Sequence, residues 1–228
     1  MKYNPRNPVV EELKKSPLQI RDCGLADYRQ ILQLQQLLRE KRQHNEIPNT
    51  VLIVEHPAVI TLGARQSYNK LLATREALAQ KHIEVVNVRR GGAATAHNPG
   101  QLVFYPILHL QQFGLGAGQY IRKLETIGAE LLERLDVHST RRKGAPGLWI
   151  DTKKIASIGV RISRQTSYHG MAINIQNDLG IFDFIVPCGL DNVEMTSVLK
   201  ETGKHRSMNR IKKELAKLLK EHFSPDQI

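Results

Sequence analysis

At 228 residues, 41% of them apolar, the chain is long enough for one large domain or two small ones with a full core. Its 33 basic residues against 22 acidic ones give a formal charge of +11, which calls for a polyanionic partner or is simply a solvated basic surface. Two cysteines far apart, Cys23 and Cys188, exclude a disulfide framework and zinc-type spacing, and no apolar run approaches the ~20 residues of a bilayer span.

In chain order, residues 1–17 ("MKYNPRNPVVEELKKSP") form a polar N-terminal extension without a signal-peptide core, so a cytoplasmic location is expected. "GLADYRQILQLQQLLREKRQ" has apolar residues at helical spacing and predicts a long amphipathic helix. "NTVLIVEHPAVITLG" predicts two short strands broken by Pro57, "EALAQKH" a short helix, and "IEVVNV" a strand leading into a glycine-containing loop. "QLVFYPILHL" is a further strand and "GAGQYIRKLETIGAELLERL" a helix of about five turns. "GLWIDTKKIASIGVRI" predicts a hairpin turning at Asp151 and Thr152, and "YHGMAINIQ" a strand alternating Met171, Ile173 and Ile175 with smaller or polar residues. The tail places Leu215, Leu218 and Leu219 on one stripe of a basic helix. Strands grouped between separate helices predict an α/β or α+β domain, a mixed sheet with flanking helices rather than a doubly wound sheet. Nothing marks an internal boundary, so residues 18–228 are expected to form one domain.

Two stretches carry chemistry. In residues 89–106, "RRGGAATAHNPGQLVFYP", adjacent glycines let the backbone approach a ligand, with Arg90 offering charge and Thr95 and His97 polar contacts. The loop matches neither the dinucleotide nor the phosphate-loop pattern, and a structural turn and a hydrogen-bonded structural histidine remain open readings. In residues 185–197, "IVPCGLDNVEMTS", Pro187 removes a ladder donor and Gly189 permits unusual backbone angles, so Cys188 sits on a bend. A bend can present a nucleophilic sulfur to an acyl carbon, but a thiol near its ordinary pKa of about 8.5 needs a cationic or basic neighbour.

The run "RGGAATAHNPGQLVFYP" resembles R-G-G-x-x-T-x-H-x-P-G-Q-x-V-x-Y-P, the signature of the octanoyltransferases of lipoate biosynthesis. "LIVEHPAVITLG", "GLWIDTKKIASIGVRI", "YHGMAINI" and "FDFIVPCGLDNVEMTSV" are similar to four further motifs of that family, in family order. Ala96 stands where the family usually has an aromatic ring, which would widen the pocket or alter acyl preference, and Asn98 stands where it usually has glycine.

The resemblance implies a single domain with a biotin/lipoate protein ligase-like fold. It implies a Cys188 nucleophile with Lys154 as its dyad partner, Lys153 being the exposed strand neighbour, and no cofactor or metal. Substrate contacts would come from Arg90, Gly91, Gly92, Ala93, Ala94, Thr95, Ala96 and His97, from Ser157, Ile158 and Gly159, and from His169, Gly170, Met171 and Ala172. Octanoyl-acyl carrier protein would acylate Cys188. A lysine of an apo lipoyl domain, in 2-oxoacid dehydrogenase E2 subunits or the glycine cleavage H protein, would then take the group, the first step of endogenous protein lipoylation. Both partners are typically acidic, which gives the positive charge a use; neither nucleic acid nor a membrane is implied. The rival readings are an ATP-dependent lipoate or biotin protein ligase, an octanoyl amidotransferase between lipoyl domains, and a non-catalytic basic nucleic-acid-binding protein. Against the last, no basic run is interleaved with aromatics.

Overall fold

The computed structural model describes residues 16–189 and 193–224, with the Cys188 side chain outside the described set. Six strands form one sheet in the order β1-β2-β6-β9-β8-β7: β1 (Gln19–Leu25), β2 (Thr50–Glu55), β6 (Gln101–Ile107), β7 (Gly147–Ile150), β8 (Lys153–Ser163) and β9 (Thr166–Asn174). Only β1 and β2 run parallel; the other neighbours are antiparallel. A separate three-stranded sheet has the order β4-β3-β5, from β3 (Val59–Leu62), β4 (Glu84–Asn87) and β5 (Thr95–His97). The two strands expected on either side of Pro57 thus go to different sheets.

Helices cover both faces of the large sheet, and strand alternation divides the side chains between them. From β2, Val51 and Ile53 face a core made with α3 (Ala117–Glu133) and α5 (Met208–His222), where Leu124, Ile127, Leu215 and Leu218 are fully buried. Leu52 and Val54 face Ile31 and Leu38 of α1 (Tyr28–Gln43). The basic tail is therefore a core element: each fully buried leucine on α5 contributes about 1.5–3 kcal/mol of hydrophobic stabilisation, while Lys213, Lys217 and Lys220 stay outside and the buried Lys212 pairs with Asp22 and Glu55. A smaller core lies behind the three-stranded sheet, where Ile60, Ala94 and Ala96 meet Leu78 of α2 (Arg75–Gln80) and the 3-10 turn Leu179–Phe184. The short helix α4 (Val198–Thr202) is capped by Ser197.

Local chemistry sets several boundaries. The Asp27 carboxylate accepts the Gln30 N–H (2.9 Å), so α1 starts at Tyr28, and the residues before it form β1, which periodicity alone does not reveal. The β7–β8 hairpin turns at Asp151 (φ 47°), as expected. The β8–β9 turn uses Arg164 and Gln165 with φ of 45° and 62°, left-handed positions that carry no Asn-Gly signal. Pro106 sits in the central strand β6 opposite Val51, and β6 pairs with β9 only as far as Phe104↔Met171. Lacking an N–H, Pro106 cannot extend that ladder, and β9 bends at His169 (φ 55°).

Candidate active site

Arg90 organises the glycine loop. Its Nε and Nη2 donate to Thr61 Oγ1 (3.2 and 2.7 Å), Nη2 to the Thr61 carbonyl (2.7 Å), and Nη1 to the carbonyls of Gly91 (3.1 Å) and Ala93 (2.7 Å). The guanidinium expected to offer charge to a ligand is buried and engaged by its own loop, although it also lines the cavity described below. The Gly91 N–H donates to the Val160 carbonyl (2.9 Å), which ties the loop to the edge of β8. That carbonyl points away from β9, and in an antiparallel ladder a residue's N–H points the same way as its C=O. The Ile158 and Val160 amides therefore face the loop side.

After Ala94 the chain pairs with β3 as β5, and its alternation separates the remaining loop residues: Thr95 and His97 line the cavity, while Ala94 and Ala96 lie in the smaller core. Ala96 stands opposite Ile60, so the missing aromatic ring does not widen the cavity. Asn98 is not in a left-handed conformation either. It donates to the Asp178 carbonyl (2.7 Å) and accepts from Asn177 Nδ2 (3.1 Å), while the positive φ of this turn falls on Gly100 (88°).

Strands β8 and β9 make the opposite wall, where Ser157, Ile158 and Gly159 pair in register with Ala172, Met171 and Gly170, all six lining the cavity. His169 beside them is held in its left-handed conformation by Gln35, whose Oε1 accepts the His169 N–H (2.8 Å). Its Nδ1 is buried without a hydrogen-bond partner among the described residues. Strain of this kind, stabilised by a buried side chain from another element, marks functional positions.

Lys154 also reaches this cavity, and only 2% of it is exposed. Its Nζ lies 5.0 Å from the centre of the Trp149 ring, its cross-strand neighbour. Gly147 (φ 127°) makes room for the stem, since a Cβ there would lie 2.9 Å from Lys154 Cε. The Lys154 N–H donates to the Glu194 carbonyl (2.8 Å) and its carbonyl accepts the Thr196 N–H (2.9 Å), so residues 194–196 lie along β8 at Lys154. Cys188 occupies the 3-10 turn Pro187–Gly189, the expected bend. Gly189 packs so closely that a Cβ on it would lie 2.7 Å from Tyr68 Cβ and 3.2 Å from Ala93 Cβ. The turn therefore abuts the glycine loop. Lys153 points elsewhere and pairs with Glu201 (2.6 Å).

The histidines here are neutral. Burial holds His97 at about 3, helped by the nearby His56 and Arg90, and holds His169 at about 3 with the Arg90 and Arg161 charges acting the same way. His56, held at about 4 mainly by burial, donates from Nδ1 to the Ala26 carbonyl (2.8 Å), leaving Nε2 to accept the Tyr105 hydroxyl (2.9 Å). Tyr28, pushed up to about 12 by burial, stacks on His97 with ring centres 5.8 Å apart and planes 14° from parallel.

These walls enclose a cavity of about 260 Å³, small for a ligand site. Its sides include Val103, Tyr105, Ile121, Ala145, Pro146 and Val160, none of them among the expected substrate contacts. Tyr28 and Gln35 were missed as well. Their spacing of seven, which places both on one helix face, was the available signal, but it reads equally as core.

The family described as lipoyl protein ligase A/B catalytic domain matches residues 27–220. An octanoyltransferase of Syntrophobacter fumaroxidans is 41% identical over 205 residues, 90% of each chain. The chain belongs to the octanoyltransferase family. Another octanoyltransferase, from Alkaliphilus metalliredigens, is 37% identical over 82% of this chain and 86% of its own. The fold is also that of lipoate-protein ligase A bound with ATP (TM-score 0.70, 14% identity, 91% of this chain and 85% of that one). It is shared more distantly with biotin protein ligase from Aquifex aeolicus (TM-score 0.52, 14% identity, 93% and 70%). This family member is thus a single mixed α/β unit of the ligase fold and, like its relatives, an acyltransferase. No described helix is long and apolar enough to cross a membrane.

Proposed function

We propose that this chain moves an octanoyl group from octanoyl-acyl carrier protein to a lysine of apo lipoyl domains, those of 2-oxoacid dehydrogenase E2 subunits and the glycine cleavage H protein, through a thioester on Cys188 in the cytoplasm. The observation that carries the reading is the convergence, on one small and largely apolar cavity, of the buried Lys154, the glycine loop and the neighbours of the cysteine-bearing turn. An acyl chain entering it gains ~0.8 kcal/mol per buried methylene.

Lys154 takes the Cys188 proton, and the thiolate attacks the donor thioester, releasing the carrier thiol. Edge amides on β8 stand ready for the developing oxyanion. The lysine amine then attacks the Cys188 thioester, the C–S bond breaks, and an amide leaves. Thioester to amide is downhill, so the reaction needs no nucleotide. The Cys23 thiol, pushed up by its burial and by Asp22, is a poor candidate for the nucleophile.

Mixing the protein with octanoyl-acyl carrier protein and measuring intact mass tests the reading. A hydroxylamine-labile octanoyl adduct, lost in Cys188→Ala and kept in Cys23→Ala, is expected. An adduct that survives in Cys188→Ala, or an absolute requirement for ATP, would overturn it.

A further inference from the structure

Two buried side-chain amides settle which nitrogen of His97 carries the proton. The Ala96 carbonyl can only accept, so the group of Gln101 that faces it (3.2 Å) is the NH2. Likewise the Thr196 carbonyl requires the Asn174 NH2 toward it (2.9 Å), which leaves Asn174 Oδ1 to accept from Gln101 Nε2 (2.8 Å). Both amides are thereby oriented by backbone carbonyls. Gln101 then presents only its oxygen to His97 Nδ1 (2.7 Å), and Nδ1 must be the protonated nitrogen.

The remaining nitrogen, Nε2, is a bare acceptor in a neutral ring that borders the cavity, and no described residue donates to it. The ring cannot turn away, since Tyr28 stacks on it and His56 meets it edge-on at 5.7 Å. An acyl chain and a thioester carbonyl offer no hydrogen-bond donor. The attacking amine of the second half-reaction does.

We infer that His97 is a catalytic residue of the second half-reaction, its Nε2 accepting a hydrogen bond from the incoming lysine amine and aiming the nitrogen lone pair at the acyl carbon. The inference rests on the octanoyl-transfer reading above. The amine, already free of its ammonium proton, forms the C–N bond as the C–S bond to Cys188 breaks. Its departing proton passes to the Cys188–Lys154 pair and regenerates the thiol. His97 orients and takes no proton. Gln101 and Asn174 are positioning residues that hold the tautomer, and Asn174 links them to Thr196 and so to the strand segment at Lys154.

The test separates the half-reactions. In His97→Phe, octanoyl loading of Cys188 should stay within about threefold of wild type, while discharge to the lipoyl-domain lysine slows ~10²-fold, the scale of a misplaced reacting group. His97→Gln, which restores an acceptor oxygen, should recover part of the loss. In the unmodified protein, nitrogen-15 spectra should show the His97 proton on Nδ1, a readout that does not depend on any variant folding. Parallel losses in loading and discharge would overturn the inference, as would slowed loading from the carrier alone, which would mean that His97 reads the donor's arm. A proton on Nε2 would overturn it too. An unmodified protein that forms no adduct would instead overturn the transfer reading itself.

Discussion

Replacing Arg90 with alanine distinguishes a loop clamp from a substrate contact. The guanidinium serves the Thr61 hydroxyl and three carbonyls, those of Thr61, Gly91 and Ala93. A buried acceptor left without its donor costs about 1–3 kcal/mol, and water entering from the cavity will satisfy some of the three, so about 3 kcal/mol is expected in total. For a chain of this length each kcal/mol lowers the melting temperature by about 2–4 °C, which predicts a fall of about 6–12 °C. The loop then no longer holds its shape against β8, and Cys188 loading should slow ~10²-fold. The loss should be equal for octanoyl-acyl carrier protein and for a small uncharged octanoyl thioester, because the charge is engaged inside the loop. Arg90→Lys should not restore either, since an ammonium lacks the planar fork. Calorimetry and single-turnover loading with both donors provide the assay. An Arg90→Ala protein that melts within about 2 °C of wild type, or that loses activity only toward the charged carrier, would refute the clamp.

Lys154→Ala should slow both iodoacetamide alkylation of Cys188 and transfer, the latter by ~10² to 10⁴-fold. Lys153→Ala breaks only the outward pair with Glu201 and should leave alkylation unchanged; matching profiles for the two variants would remove the dyad. Raising ionic strength toward ~0.5 M should increase the KM for acyl carrier protein and spare a small uncharged thioester, because the Debye length falls below 10 Å. Equal sensitivity would remove the functional reading of the charge. His56, His97 and His169 titrate at about 4, 3 and 3 in the folded chain, below the ordinary 6.5, so the unfolded chain binds their protons first. Their contribution is complete above pH 6.5 and is lost as pH falls toward 4 and 3. Melting temperature should therefore drop across that window less steeply in His56→Gln than in wild type, and identical slopes would contradict the neutral burial of His56.

Sequence determined what depends on neighbours along the chain. Helical spacing set α1, α3 and α5, the Asp151 turn set the β7–β8 hairpin, and the order of short motifs set the family. Those motifs also named most of the cavity's polar wall. Tertiary structure decided the rest. Whether β2 and β3 share a sheet depends on partners such as β4 and β6, many positions away, and no local periodicity carries that information. Ala96 reads as part of a pocket loop until β5 pairs with β3 and turns it toward Ile60. Arg90 reads as a free charge until Thr61 and its own loop carbonyls fold around it. Gln35 becomes more than a core position only when β9 bends at His169 and needs an acceptor for its N–H. A side chain's type is written in the sequence, but its hydrogen-bond partners and the face it presents follow from which strands lie beside it.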